Sequence, residues 1–531
     1  MTVVSLVTRD YAFVRNSLLN RQEIALLDVR EEAPHAQGHP LFAANFPLSR
    51  LELDAYTRLP RRDVPIVTFD NQEGLAEKAA NRLIELGYRN VAVFEGGLES
   101  WKKSGGEVFI DVNVPSKAFG ELMESVCHTP SLSAEEVKRM QDENRNMIVV
   151  DVRRFDEYQT MCIPKGVSVP GAEVVLRVPD LVSDPNTLVI VNCAGRTRSM
   201  IGTQSLINAG LPNPVAALRN GTIGWTLAQQ QLDFGQTRSF SSTSDESIDI
   251  ARQGARVVAD RAGVKRASKQ DILEWKTQQQ RSSYFFDVRS INEYEAGHLE
   301  GFYPIPGGQL VQETEMYVPI RGARIVLVDR EGVRANMTAS WLAQMDWDVY
   351  VLDDLSDQAF SYTGSWQPVT PDLPEVPMVS PETLNDWIQA KQVTLIDVAK
   401  HVSYKKGRIG GAWYVLRSHL EEAIANLPKS SRYVVTSEDG KLAQLVCAEL
   451  ETLVNAEVFS LEGGTAAWVD SGRPLSVQDS LLASEPIDRY QRPYEGTDAP
   501  PAAMQAYLDW EFGLIEQLER DATHHFKPLV L

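Results

Sequence analysis

Four apolar segments that each end in an acid constrain this chain more than any other feature: IALLDVREEA, MIVVDVRRFDEY, YFFDVRSINEY and VTLIDVAKHVSY, with the aspartates at Asp28, Asp151, Asp287 and Asp397. The intervals between them, 123, 136 and 110 residues, each hold one compact α/β domain. A short amphipathic helix precedes each segment. It is clearest in SAEEVKRM, where Ser133 and Glu136 form a capping box, and in SPETLNDWI, where Ser380 is the N-cap and Pro381 the first helical residue. A second apolar strand running into a helix follows in every unit: PIVTFDNQEGLAEKAANRL, LVIVNCAGRTRSMIGTQSL, RIVLVDREGVRANMTASWL and RYVVTSEDGKLAQLVCAEL. Three units close on a strand, a glycine turn and a helix carrying Trp101, Trp225 or Trp468; the third has VYVLDDLSDQAF, without the glycines. Strands and helices alternating at such short spacing form right-handed βαβ crossovers. The predicted fold class is therefore α/β: four tandem units, each a parallel sheet flanked by helices.

The same periodicities divide the chain. Unit one is expected at 1–112, unit two at 125–235, unit three at 265–368 and unit four at 376–478. Residues 236–264 read as a Ser-rich linker and a connecting helix with Ile248, Ala251, Ala255 and Val258 on one stripe. The proline-rich TGSWQPVTPDLPEVP separates units three and four. Residues 479–531 form a tail whose helix places Met504, Tyr507, Leu508, Phe512, Ile515 and Leu518 at near-helical spacing; it packs on its own chain, beside unit two, or serves a partner.

One stretch differs in kind. In LVIVNCAGRTRSMIGTQSL a buried strand stops at Cys193, two arginines follow, and a helical pattern begins at once. Cys193 thus stands at a strand-to-helix turn, the place where open α/β sheets bind ligands. These residues, with the DVR openings and the closing Gly-turn-Trp elements in the same order, resemble the rhodanese family of sulfurtransferases over about 470 residues. The resemblance implies four rhodanese-like domains of which only unit two is active, with Cys193 forming a persulfide and Ala194, Gly195, Arg196, Thr197, Arg198 and Ser199 as its substrate loop. The aligned position holds Asp70 in unit one, Asp329 or Arg330 in unit three, and Ser437 or Glu438 in unit four, so these three are expected to be catalytically silent.

A sulfur nucleophile needs thiolate. Lowering a thiol from about 8.5 to about 6.5 takes roughly 2.7 kcal/mol. A helix N-terminus supplies about 0.3 to 2 kcal/mol, and charge-assisted hydrogen bonds roughly 1.5 to 3 kcal/mol each. Gly195 permits tight curvature, Ser199 is placed to cap the helix, and the guanidinium forks of Arg196 and Arg198 suit the departing sulfite of a thiosulfate donor. The cycle expected is ping-pong: a small anionic donor loads Cys193, and cyanide, a thiol or a protein acceptor unloads it, with no organic cofactor and no metal. Cys447, inside LAQLVCAEL, reads as a buried hydrophobe, Cys162 as an inert or a resolving thiol, and Cys127 as incidental. Arg153 either faces the site or pairs with Asp156 or Glu157, and the tail pair His524 and His525 reads as solvated surface.

Two other readings stand beside this one. An arginine-cradle phosphatase or arsenate reductase also uses a cysteine in an anion loop, but Cys193 to Arg198 is C-x4-R, one residue shorter than the loop of such phosphatases. A scaffold or sulfur relay would use the silent units for protein contacts. The net charge of -20 and pI near 5.0 oppose a nucleic-acid partner, and no apolar run reaches membrane length. Four irregularly spaced cysteines and no leader-like N-terminus lead to the expectation of a cytoplasmic protein in a reducing compartment. A homo-oligomer is left open.

Overall fold

A computed structural model describes residues 6–353 and 355–530. The first five residues, on which the N-terminal reading partly rests, Asp354 in the third unit's closing turn, and Leu531 lie outside the described residues. Each aspartate-ending segment is a central strand buried on both faces, which is why it reads as a continuous apolar run rather than an alternation. In unit two the order across the sheet is Ser131–Leu132, Val215–Leu218, Leu188–Asn192, Met147–Asp151 and Val167–Ser168, all parallel. Units one, three and four repeat this order.

Register aligns the four units residue by residue. Asp151 pairs with Asn192, Asp28 with Phe69, Asp287 with Val328 and Asp397 with Thr436. The next residue along the second strand is Cys193, Asp70, Asp329 or Ser437. The alternatives at units three and four thus resolve to Asp329 and Ser437.

The DVR arginine is a clip. Arg153 donates Nε and Nη2 to both oxygens of Asp151 (2.9 and 2.7 Å) and Nη2 again to the Met161 carbonyl (2.6 Å). Arg30 on Asp28 and Arg289 on Asp287 do the same. The partner is therefore Asp151, not Asp156 or Glu157 as the sequence suggested, because a residue two positions past a strand end folds back onto that end.

The units are not independent beads. Ile320–Arg321, from unit three, adds antiparallel to Ile24–Ala25 of unit one, so that sheet is not purely parallel. Leu481–Leu482 joins the edge of unit four's sheet. Units one and three share one apolar core through the helix Val114–Cys127, where Phe119 meets Trp341 and Phe526. The helix Asp245–Arg261 buries Ala251, Ala255 and Val258 against the helices Val174–Leu181 and Arg334–Gln344. His524 and His525 are half-buried rather than solvated: His525 Nε2 lies 3.2 Å from the Leu19 carbonyl, and His524 packs on Phe526. Among the described residues no helix is long and apolar enough to cross a membrane.

Candidate active site

Cys193 follows the strand Leu188–Asn192, and the helix Thr197–Asn208 begins four residues later. The turn between them is held from behind. Thr222 N donates to the Cys193 carbonyl (2.9 Å), Thr222 Oγ1 to the same oxygen (3.0 Å) and Ile223 N to the Ala194 carbonyl (2.9 Å). These carbonyls thus face the closing helix Gly221–Leu227. Gly221 has φ +53°, and a Cβ there would lie 2.4 Å from the Cys193 carbonyl oxygen. A Cβ on Gly97 or Gly464 would likewise lie 2.7 or 2.3 Å from the carbonyl oxygen of Asp70 or Ser437. In units one, two and four the glycine of the closing element is therefore the seat of the loop in front of it.

What such a loop holds is visible in the units without a cysteine. Asp70 accepts the backbone N–H groups of Gln72, Leu75 and Ala76 (2.9, 2.7 and 3.1 Å). Asp329 accepts those of Gly332, Val333 and Arg334 (3.1, 3.0 and 2.9 Å). Both loops are anion cradles filled by their own first residue. Ser437 takes a single such bond, from Ala443 N (3.3 Å).

In unit two the Cys193 thiol donates to Ser199 Oγ (3.3 Å), whose hydroxyl donates to the Arg196 carbonyl (2.9 Å). The helix starts at Thr197 with Arg196 as its N-cap, so Ser199 sits in the first turn and holds the sulfur instead of capping, a correction to the expectation above. Cys193 is 1 % exposed. Burial pushes its thiol up, against the Arg198 charge and the Ser199 bonds, which pull it down; the lowering expected from the loop is outweighed by burial.

Both arginines are engaged. Arg196 forks onto Glu121 (2.7 and 2.9 Å), also contacts Glu124, and lies over the Phe512 ring. Arg198 binds both oxygens of Glu157 (2.6 and 3.1 Å). Burial alone would raise the Glu157 carboxyl, but Arg198, Arg153 and Arg154 hold it at about 2. Unit three repeats the second pair as Arg334 on Glu293 (2.8 and 3.0 Å) without a cysteine. The pair is thus in the first place a clamp between the loop helix and the helix after the DVR strand.

The roof of the site comes from the tail. Tyr494, Met504, Tyr507 and Leu508 pack on Ala194 and Ile223, and Glu511 lies against Gly195 and Thr197. Sequence reasoning missed Gly221, Thr222, Glu121, Glu157 and Glu511. The closing glycines were a legible signal for the first two; the carboxylates carry none. Cys162 is buried, its N–H donating to the Asp233 carbonyl (2.8 Å) and its thiol pushed up by burial. Cys447 is a buried helix residue pushed up to about 12, as its pattern implied, and Cys127 sits at a helix C-terminus.

Comparison with known proteins gives the same fourfold division. The family model for the rhodanese-like domain matches residues 15–104, 133–228, 268–354 and 380–471, more than half of the chain. A crystal structure of a thiosulfate sulfurtransferase from Pseudomonas aeruginosa is 57% identical, with a TM-score of 0.97, over 99% of this chain and 100% of that one. A rhodanese-like domain protein from Staphylococcus aureus is 21% identical over 20% of this chain and 100% of its own, with a TM-score of 0.18. A Bacillus subtilis (strain 168) protein named "Putative sulfur carrier protein YrkF" is 25% identical over 24% of this chain and 72% of its own length.

Proposed function

The chain belongs to the rhodanese-like domain family, four units in tandem, and from that premise we propose that it is a thiosulfate sulfurtransferase whose single working site is Cys193 in unit two. One observation carries the reading. The position of Cys193 is built for negative charge, since its counterparts Asp70 and Asp329 each accept three backbone N–H groups there. A thiolate or persulfide in that place stands at the same turn, with the Ser199 backbone N–H and hydroxyl beside it.

The cycle has two displacements. The Cys193 thiolate attacks the outer sulfur of thiosulfate; the S–S bond of the donor breaks, and sulfite leaves with its electron pair. Cyanide or a thiolate, free or on a protein, then attacks the sulfane sulfur, and the Sγ–S bond breaks to return the Cys193 thiolate. No redox partner enters. Within the proposed donor-binding loop Ala194–Ser199 the roles divide: Arg198 supplies positive charge beside the sulfur, Ser199 a hydroxyl, and Gly195 a floor without a side chain beneath Tyr507 and Glu511, while Arg196 anchors the loop to Glu121. The four free cysteines fit a reducing compartment such as the cytoplasm.

Intact mass after thiosulfate treatment and desalting tests this. Wild type is expected to gain one sulfur atom that cyanide removes, and Cys193→Ser to gain none. No gain in wild type, or a gain kept by the variant, overturns the assignment.

A further inference from the structure

The cycle above leaves one buried group at the site unused. Glu511, on the helix Pro501–Phe512, is 1 % exposed. Its Oε1 accepts from Tyr507 OH (2.9 Å) and from Thr197 Oγ1 (3.5 Å). Its Oε2 is buried without a partner among the described residues and faces Gly195, where a Cβ would stand 3.4 Å from it. An unpaired carboxyl oxygen in an apolar roof, aimed at the surface of a cysteine loop, has no packing rationale.

We propose that Glu511 is a specificity-determining residue of the unit-two site: neutral, it admits a dianionic sulfur donor onto the loop, and ionised, it excludes one. The proposal rests on the sulfurtransferase reading. Ala194 and Gly195, the two residues after Cys193, are buried beneath Tyr507 and Glu511, so on this proposal a thiosulfate with its outer sulfur at Cys193 brings its sulfonate end against Glu511. Around it are Met504, Leu508 and the rings of Tyr494 and Tyr507, a lining of low polarity in which charges interact strongly.

The charged groups facing Glu511 do not cancel its charge. From the helix Val114–Cys127 come Lys117 and Glu121, from the loop Arg196 and Cys193, and from its own helix Tyr507. Lys117 is already bound to Asp111 (2.7 Å), and Arg196 to Glu121 and Glu124. Arg492 and Tyr494 lie behind Lys117. Burial, helped by Glu121, accordingly pushes the Glu511 carboxyl up to about 8, against Lys117, the Tyr507 bond and Arg196. The group is thus protonated at neutral pH and ionises just above it. The same proton spares the Cys193 persulfide a neighbouring anion.

The test is single-turnover sulfur loading of the full chain, read by intact mass as a function of donor concentration. Thiosulfate is compared with methanethiosulfonate, a monoanion, between about pH 7 and pH 9. The fraction with Glu511 neutral sets the apparent affinity, so the half-saturating thiosulfate concentration is expected to rise about tenfold over that range in wild type. It should stay flat in Glu511→Gln, and methanethiosulfonate should move less in wild type. An equal rise for both donors in wild type, a comparison that needs no variant, overturns the proposal, as does a rise retained in Glu511→Gln. Loading that occurs but is independent of pH overturns only the proposal; no loading from either donor at any pH overturns the sulfurtransferase reading and the proposal with it.

Discussion

Cys193, Asp70, Asp329 and Ser437 occupy one position in four copies of the same turn, and the side chain there decides what the turn's backbone donors hold. The carboxyl groups of Asp70 and Asp329 fill the cradle themselves. A sulfur leaves it available to whichever charge state the cysteine takes. Ser199 is the side chain that distinguishes those states, since its hydroxyl now accepts from the thiol and must turn to donate to a thiolate. Ser199→Ala is expected to lose about 1 kcal/mol of thiolate stabilisation and to move the midpoint of Cys193 alkylation by iodoacetamide up by about 0.7 pH. Peptide mapping separates Cys193 from the other three thiols, and an unchanged midpoint would remove Ser199 from the site. Cys193 and its loop were legible in the sequence because strand, cysteine and helix are contiguous. The partners of Arg196 and Arg198 were not: Glu121 lies 75 residues upstream and Glu157 lies 41, on elements that only the fold brings to the loop.

Among the elements, the tail departs furthest from its sequence pattern. A single helix with Phe512 and Ile515 on the apolar stripe becomes two, Pro501–Phe512 and Leu514–Asp521, with Gly513 between them. The break resets the phase, so Phe512 is 53 % exposed while Glu511 and Leu514 turn inward. Met504, Tyr507 and Leu508 keep the expected inward face, but the break at Gly513 and the seating of Glu511 on the cysteine loop are set by tertiary contacts that periodicity does not carry. Docking on its own chain, one of the two arrangements the sequence allowed, does hold. Leu514, Leu518 and Phe526 enter the core shared by units one and three, with Phe526 edge-on to Phe42 and Phe119. Phe526→Ala should therefore cost about 3 kcal/mol, read as a lower urea midpoint. A loss below about 0.5 kcal/mol, the size of a surface substitution, would mean that the tail merely rests on the units.

For the whole molecule, the shared core and the exchanged strand Ile320–Arg321 couple the stability of the units, and buried carboxyls from several units give that stability a common pH dependence. Asp397 illustrates the rule by breaking a repeat. Arg30, Arg153 and Arg289 clip the first three aspartates, but unit four has Ala399 in that place. Burial then pushes Asp397 up to about 7, with only the Ala399 N–H and a distant Arg408 opposing it. Glu31 and Glu315 are pushed up to about 7, Asp329 to about 6 and Glu511 to about 8, in each case by burial first. Each holds a proton when folded that it releases when unfolded, so stability is fully present below about pH 4 and is lost as pH rises through 6 to 8. Asp28, Glu157 and Glu293, held at about 2 by their cationic partners despite burial, act in the opposite sense: their contribution is present above about pH 4.5 and lost on acidification. The net charge of -20 adds self-repulsion at neutral pH that fades toward the pI near 5.0. Resistance to urea should therefore peak near pH 5 and fall steadily to pH 8, measured at low protein concentration to avoid precipitation near the pI. Asp397→Asn should flatten part of that fall, because an amide in the same place has no proton to release. A midpoint that rises from pH 5 to pH 8 would mean that these carboxyls find charge partners the closed fold does not give them.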